Sequence, residues 1–264
     1  MKNFLKISVW VLTVGAIVTG WAFTHKEHIE HPLKGVMLTL DRENETGFIN
    51  YSEVYHDIVN ICDTINNTDV TMIPVDSVRN YLNTIPWATF TEANISLDEV
   101  LVVNIVECQP VMRVYNKLGK SVYLDAEGNI YPINSQYVPH LIIGSGYADF
   151  PAVTKTSSNI YDEKYKDTDL PEFFSVMMCV LNNSYTNCCV KQVYLARNRN
   201  YELAMNNVDP EVILGDGENA DLKLHNLQCF FEQMQGNPDL DNYCKVNFNF
   251  ENQVVCTKNT VKNE

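Results

Sequence analysis

The sequence predicts an α+β chain: one N-terminal transmembrane helix, a compact β-α-α-β-β region, and a β-rich C-terminal region with flanking helices. Three observations carry this reading. Ile7 to Phe23 is an uncharged apolar run. Residues 36–107 place two amphipathic stripes between alternating or continuous apolar strands. Beyond residue 108, short alternating segments dominate and are interrupted by two apolar-striped helices. The expected organisation is a tail over 1–6, a membrane helix over 7–23, a linker over 24–35, a first domain over 36–107, a β-domain over 108–258 and a tail over 259–264.

The apolar run is about as long as the shortest helix that spans a hydrocarbon core. Lys2 and Lys6 precede it and no basic residue follows before Lys26, which favours a cytoplasmic N-terminus. Trp10 and Trp21 bracket it. A cleaved signal peptide is the competing reading, but the apolar run exceeds a usual signal core. His25, His28 and His31 follow at three-residue spacing; the reading preferred is a polar linker rather than a zinc site, because Pro32 interrupts the segment.

Val36, Leu38 and Leu40 alternate as a half-buried strand. A polar loop over 41–50 leads to a helix opened by Ser52, with Val54, Tyr55, Ile58, Ile61, Cys62 and Ile65 as its stripe. A second helix starts at Pro74, with Val75, Val78, Leu82 and Ile85 on one face, and stops at Pro86. Trp87 to Ile95 and Val100 to Val106 complete the unit as strands.

In the second half, Ser121 to Asp125 and Asn129 to Ile133 form a hairpin around Ala126-Glu127-Gly128. Leu141-Ile142-Ile143 reads as a strand followed by a turn at Gly144-Ser145-Gly146. Asp169 and Glu172 have the spacing of a capping box for a helix carrying Phe173, Phe174, Met177, Val180 and Leu181. Strands are expected at 190–197, 201–205, 211–214, 243–250 and 253–257, and a helix over Asp221 to Gln235.

The formal charge of −14 argues against nucleic-acid and anionic-lipid surfaces as partners. The eight cysteines contain no C-x-x-C pair. Buried thiols are the preferred reading, with a disulfide framework as the alternative. No nucleophile elbow, zincin helix, phosphate loop or dinucleotide fingerprint occurs. Gly215-Asp216-Gly217 reads as a loop, Asp239 and Asp241 lack a calcium-loop context, and His56 and His225 lie on helices without matching partners. No catalytic residue, metal ligand, cofactor or small-molecule substrate is therefore expected.

Four segments carry a resemblance. Ile85-Pro86-Trp87-Ala88 precedes a strand; Val103-Asn104-Ile105-Val106-Glu107-Cys108-Gln109-Pro110-Val111-Met112-Arg113 ends one; Tyr123-Leu124-Asp125-Ala126-Glu127-Gly128-Asn129-Ile130 is a hairpin; and Phe250-Glu251-Asn252-Gln253-Val254-Val255-Cys256-Thr257-Lys258 closes the chain's last strand pair. In order and spacing they resemble the FtsQ/DivIB cell-division family, in the version found in Bacteroides-type bacteria. Ala88, Cys108 and Met112 depart from the usual residues by side-chain size. The resemblance implies a POTRA-like domain before the β-domain, a single pass through the inner membrane with the C-terminal region in the periplasm, and enrichment at the division septum. It also implies a non-enzymatic divisome scaffold with FtsB/FtsL-like partners, one of which adds a strand to the C-terminal sheet edge. The expected partner-binding residues are Phe250, Glu251, Asn252, Gln253, Val254 and Val255, with Phe250 and Val254 supplying apolar contact. A membrane-anchored periplasmic hydrolase and a POTRA-type chaperone are the alternatives.

Overall fold

The computed structural model describes residue 10 and residues 12–19, 33–63, 73–151, 158–206, 208–251 and 253–259. Of the expected membrane segment, Trp10 and residues 12–19 are helical and expose Trp10, Leu12 and Ile17, and the rest lies outside the described residues. Among the described residues no helix is long and apolar enough to cross a membrane. The chain forms two compact units, Met1–Glu107 and Cys108–Glu264.

The first unit runs β1 (Gly35–Asp41), α1 (Tyr51–Asp63), α2 (Val75–Leu82), β2 (Ala88–Ile95) and β3 (Val100–Glu107). Its sheet has the order β1-β3-β2, with β1 parallel and β2 antiparallel to the central strand. The strand in the middle is the most apolar one, and β3 buries alternate residues Leu101, Val103 and Ile105 under the helices. Val54 and Ile58 of α1 and Val78 and Leu82 of α2 close the same core. Tyr81 ties the helices together by donating to the Asp57 carboxylate at 2.6 Å. Burial, then the bonded and charged Asp57, push the Tyr81 phenol well above its ordinary range.

Two boundaries differ from the sequence reading. The cap of α1 is Asn50 rather than Ser52: the Asn50 Oδ1 accepts from the Ser52 and Glu53 N–H groups, at 3.1 and 3.4 Å. The second helix ends at Leu82, and Ile85 packs on the core from the following turn.

Glu107 explains the glutamate of the strand-ending motif. It is buried, and its carboxylate accepts from the N–H groups of Phe48 and Ile49 at 2.6 and 3.1 Å. The loop after β1 is thereby pinned to the end of β3, beside Phe48 stacked on Trp87. Glu107→Ala leaves two buried donors unpaired, at about 1–3 kcal/mol each. The expected result is a clear loss of stability of this unit, read as a lower urea midpoint in tryptophan fluorescence. Glu107→Gln, which retains one acceptor oxygen, should fall between the two.

The second unit runs β4 (Met112–Tyr115), β5 (Ser121–Leu124), β6 (Asn129–Tyr131), β7 (Ile142–Gly146), β8 (Ser158–Asn159), α3 (Leu170–Asn182), α4 (Ser184–Cys189), β9 (Val190–Leu195), β10 (Tyr201–Met205), β11 (Glu211–Gly215), α5 (Ala220–Met234), a 3-10 turn (Pro238–Asn242), β12 (Tyr243–Asn247) and β13 (Val255–Lys258). These strands form one ten-stranded sheet in the order β13-β12-β11-β10-β9-β7-β4-β5-β6-β8. The pairings β4–β7, β7–β9 and β11–β12 are parallel, and the others are antiparallel. Helices α3 and α5 bury Phe173, Met177, Val180, Leu224, Leu227 and Phe231 against Val114, Val193, Leu203, Val212 and Val246 of the sheet.

The hairpin β5–β6 is organised by a buried aspartate. Asp125 accepts from the N–H groups of Glu127 and Asn129 and from the Tyr131 hydroxyl. Gly128 at φ +78° completes the turn with a backbone that side chains disfavour.

Several expectations are corrected here. Gly144-Ser145-Gly146 is part of strand β7 rather than a turn: Gly144 lies against the Phe173 and Met177 side chains, where a Cβ would collide, and Ser145 pairs with Gln192 at 2.6 Å. The Asp169–Glu172 capping box does not form, because other groups take both carboxylates. Asp169 accepts from the Asp149 N–H and from Arg199, and Glu172 accepts from the Tyr201 hydroxyl. The expected strand over 243–250 stops at Asn247. Among the eight cysteines, which are all free thiols, only Cys108 is buried, while Cys188 and Cys244 are exposed.

Candidate functional site

The C-terminal strand pair lies at one end of the large sheet. β13 pairs with β12 alone, with Val246 opposite Cys256 and Asn247 opposite Val255. Its other side has no strand beside it among the described residues.

Backbone alternation tells which groups face outwards. The Phe248 N–H donates to the Ile213 carbonyl of β11 at 2.8 Å, so residues 246 and 248 turn their backbone groups to β11, and 245 and 247 turn theirs to β13. Their partners Val255 and Thr257 therefore complete the ladder with β12. The Asn259 N–H donating to the Asn242 carbonyl at 2.7 Å continues this pattern past the irregularity at residue 244. The backbone N–H and C=O groups of Cys256, together with those of Val254 and Lys258, point away from the sheet.

Side chains alternate in the perpendicular direction. Val254 and Cys256 pack against the helix-covered core, whereas Gln253, Val255 and Thr257 are exposed. Phe250 is 45% exposed and Val255 40% exposed, and these are the two apolar side chains the terminal segment offers to solvent. Glu251 is exposed in the turn, and Asn252 lies outside the described residues. The structure thus brings five of the six sequence-selected residues to one edge, and gives Val254 side-chain contacts with the core. Cys256 and Lys258 were missed as backbone contributors. The alternating phase of the last strand holds the signal for them, once its pairing register is known.

The hairpin is anchored from within. Phe248 is buried and packs against Phe230 and Phe231 of α5, with ring centroids 5.8 and 6.4 Å apart. The alternating pattern over 243–250 ends there physically: Phe248 enters the core, and Phe250 is already in the turn.

On the sheet face turned away from the helices, Arg113 lies over the rings of Tyr115 and Tyr123. On the same face, Lys245 pairs with Glu211 at 3.1 Å. Glu202 lies near this pair, and burial, followed by the charge of Glu211, raises its carboxyl above the ordinary range while Lys245 opposes the rise. The folded protein thus holds this proton more tightly than the unfolded chain does. Its contribution is fully present at low pH and is lost as pH rises through the folded titration. Glu202→Gln should therefore be more stable than the parent at pH 7 and indistinguishable from it at pH 3, in thermal melts at both values.

The His25, His28 and His31 triplet lies outside the described residues. Among the described residues no group of three His, Cys, Asp or Glu side chains is placed to hold a metal ion. His56 lies on α1, and His225 on α5 is 3.7 Å from the Cys229 sulfur.

Residues 109–257, more than half of the chain, match the family model described as FtsQ/DivIB, C-terminal related. The chain belongs to that family. The matched segment opens just before β4 and closes inside β13, so it takes in the whole ten-stranded sheet up to its open edge. Membership ties the protein to the bacterial division machinery, in a family that is generally non-catalytic. No curated protein matches the chain.

Proposed function

We propose that this protein is a non-enzymatic scaffold of the bacterial division machinery, which binds an FtsB-like partner, with FtsL, by accepting an extended segment along β13. The observation that carries this reading is the strand pair at the end of the family-matched sheet. It presents a row of outward backbone groups with two exposed apolar side chains, Phe250 and Val255, beside it. Backbone groups on an open edge supply affinity to any extended strand, and the flanking side chains select among them. Phe250, Glu251, Asn252, Gln253, Val254 and Val255 form the proposed contact segment, extended to Cys256 and Lys258 by their outward backbone.

The β-α-α-β-β unit is proposed to be a POTRA-like recruitment domain, and the apolar run from Ile7 to Phe23 the single-pass anchor that places both units in the periplasm. The exposed side chains of Trp10, Leu12 and Ile17 support the anchor. Recovery of the full chain in the membrane fraction, resistant to carbonate extraction, is the expected result; release by carbonate would remove the anchor from this reading.

Conditional depletion in the host, with cell-length microscopy, tests the function. Long cells without septa are expected, along with loss of the FtsB-like protein from septal sites. Normal length and septation after full depletion would overturn the reading.

A further inference from the structure

A polar cluster on α5 holds the terminal hairpin from outside the strand pair. Lys223, in the first turns of α5, is only 13% exposed along its side chain. Its ammonium donates to the Asp216 carboxylate, to the Asp216 carbonyl at 3.1 Å and to the Asn249 Oδ1 at 3.4 Å. The same Asn249 oxygen accepts from the Asp216 N–H at 3.3 Å. The Asn249 N–H in turn donates to the Asn247 Oδ1 at 2.9 Å. Asn249 thus ties the end of β12 to the end of β11 and to the start of α5.

The geometry demands a glycine at 215. Gly215 has φ +89°, and the Asn249 side chain occupies the space a Cβ would need. A clamp of this kind serves little purpose for the core, since Phe248 already seals it from below. Its effect is on the segment after it: residues 250–258 leave the clamp directly and form the open edge.

We infer that Lys223 is a positioning residue which, through Asn249, holds the β12–β13 hairpin in the geometry that accepts a partner strand. This rests on the edge-binding reading proposed above. An edge strand that is already ordered spares the partner the entropy of ordering it, so the clamp raises affinity without touching the partner. Lys223 serves better here than a neutral residue because its three donors reach all three acceptors at once.

The test is hydrogen exchange of the full-length protein without partner, read on peptides covering 253–259. Lys223→Met keeps the length of the side chain and removes its donors. Exchange in 253–259 should quicken about tenfold, as expected when a segment opens locally rather than globally. Peptides from β4, β5 and β9 should be unchanged, and Lys223→Arg should restore slow exchange. Asn249→Ala, which leaves the Lys223–Asp216 pair in place, should reproduce the effect and serves as the readout if Lys223→Met does not fold. Unchanged exchange in 253–259 in the folded variant, or quickening spread evenly over 109–257, would overturn the inference. Failure of the edge reading looks different: exchange would respond as described, while partner capture would survive loss of the outward N–H of β13.

Discussion

Cys256→Pro is expected to abolish capture of the host's FtsB-like protein while leaving the β-domain folded. Proline removes one backbone N–H and fixes φ near a value that extended strands tolerate at an edge. At residue 256 the missing donor is one that points away from β12, so the ladder through Val255 and Thr257 stays intact. The loss falls on an incoming strand, whose carbonyl would meet the pyrrolidine ring instead of a donor. An unpaired acceptor costs about 1–3 kcal/mol, a weakening of roughly tenfold to a hundredfold, and steric exclusion by the ring adds to it. Co-purification with the partner and circular dichroism of the isolated variant make the measurement. Thr257→Pro is the contrast: its N–H faces β12, so that variant should lose the pairing of β13 itself. Full partner capture by a folded Cys256→Pro protein would show that the partner does not add a strand here.

Phe248→Ala is expected to have the largest effect on stability. The ring is buried, meets Phe230 at an interplanar angle of 80° and lies 6.4 Å from Phe231. Truncation of a buried phenylalanine costs about 3–5 kcal/mol, a large share of the roughly 5–15 kcal/mol that holds a domain folded. Edge-to-face aromatic contacts place this site toward the upper end. The cost should also be local in its consequences, since Phe248 links β12 to α5. Chemical denaturation should show the lower midpoint, and partner capture should fall with it even at temperatures where the rest of the sheet survives. Phe248→Leu should recover much of the loss, because it refills most of the volume.

The same hairpin shows how far a sequence can be read. Its existence, its apolar residues and its position at the chain's end were legible, because strand alternation and a turn are local signals. Its phase was not. Cys244, Val246, Phe248 and Phe250 look like one face when written in a row, yet the strand ends at Asn247 and Phe250 is exposed. The β11 carbonyl and the two phenylalanines of α5 decide where the strand stops, and both are distant in sequence.

Capping shows the same division. Asp169 and Glu172 have the spacing of a local motif, but Arg199 and Tyr201, from the β9–β10 connection and β10, claim their oxygens. Gly144-Ser145-Gly146 reads as a turn because glycine breaks local order, whereas here Gly144 makes room for Phe173 and Met177. Strand β4 and helix α4 were not found because both are short, and their stability comes from burial between neighbours rather than from periodicity.

By itself the sequence determined the α+β class, the β-α-α-β-β order of the first unit, the long amphipathic helices and the family. These depend on hydrophobic periodicity, turn chemistry and motif spacing, all of which act within a few residues along the chain. Only the tertiary structure decided the order of ten strands, the role of Glu107 as a loop clasp, the Lys223–Asn249 clamp and the direction in which the edge backbone points. Each of these depends on groups brought together from far apart in the chain, and their pairing is selected by the burial of polar atoms that must find partners.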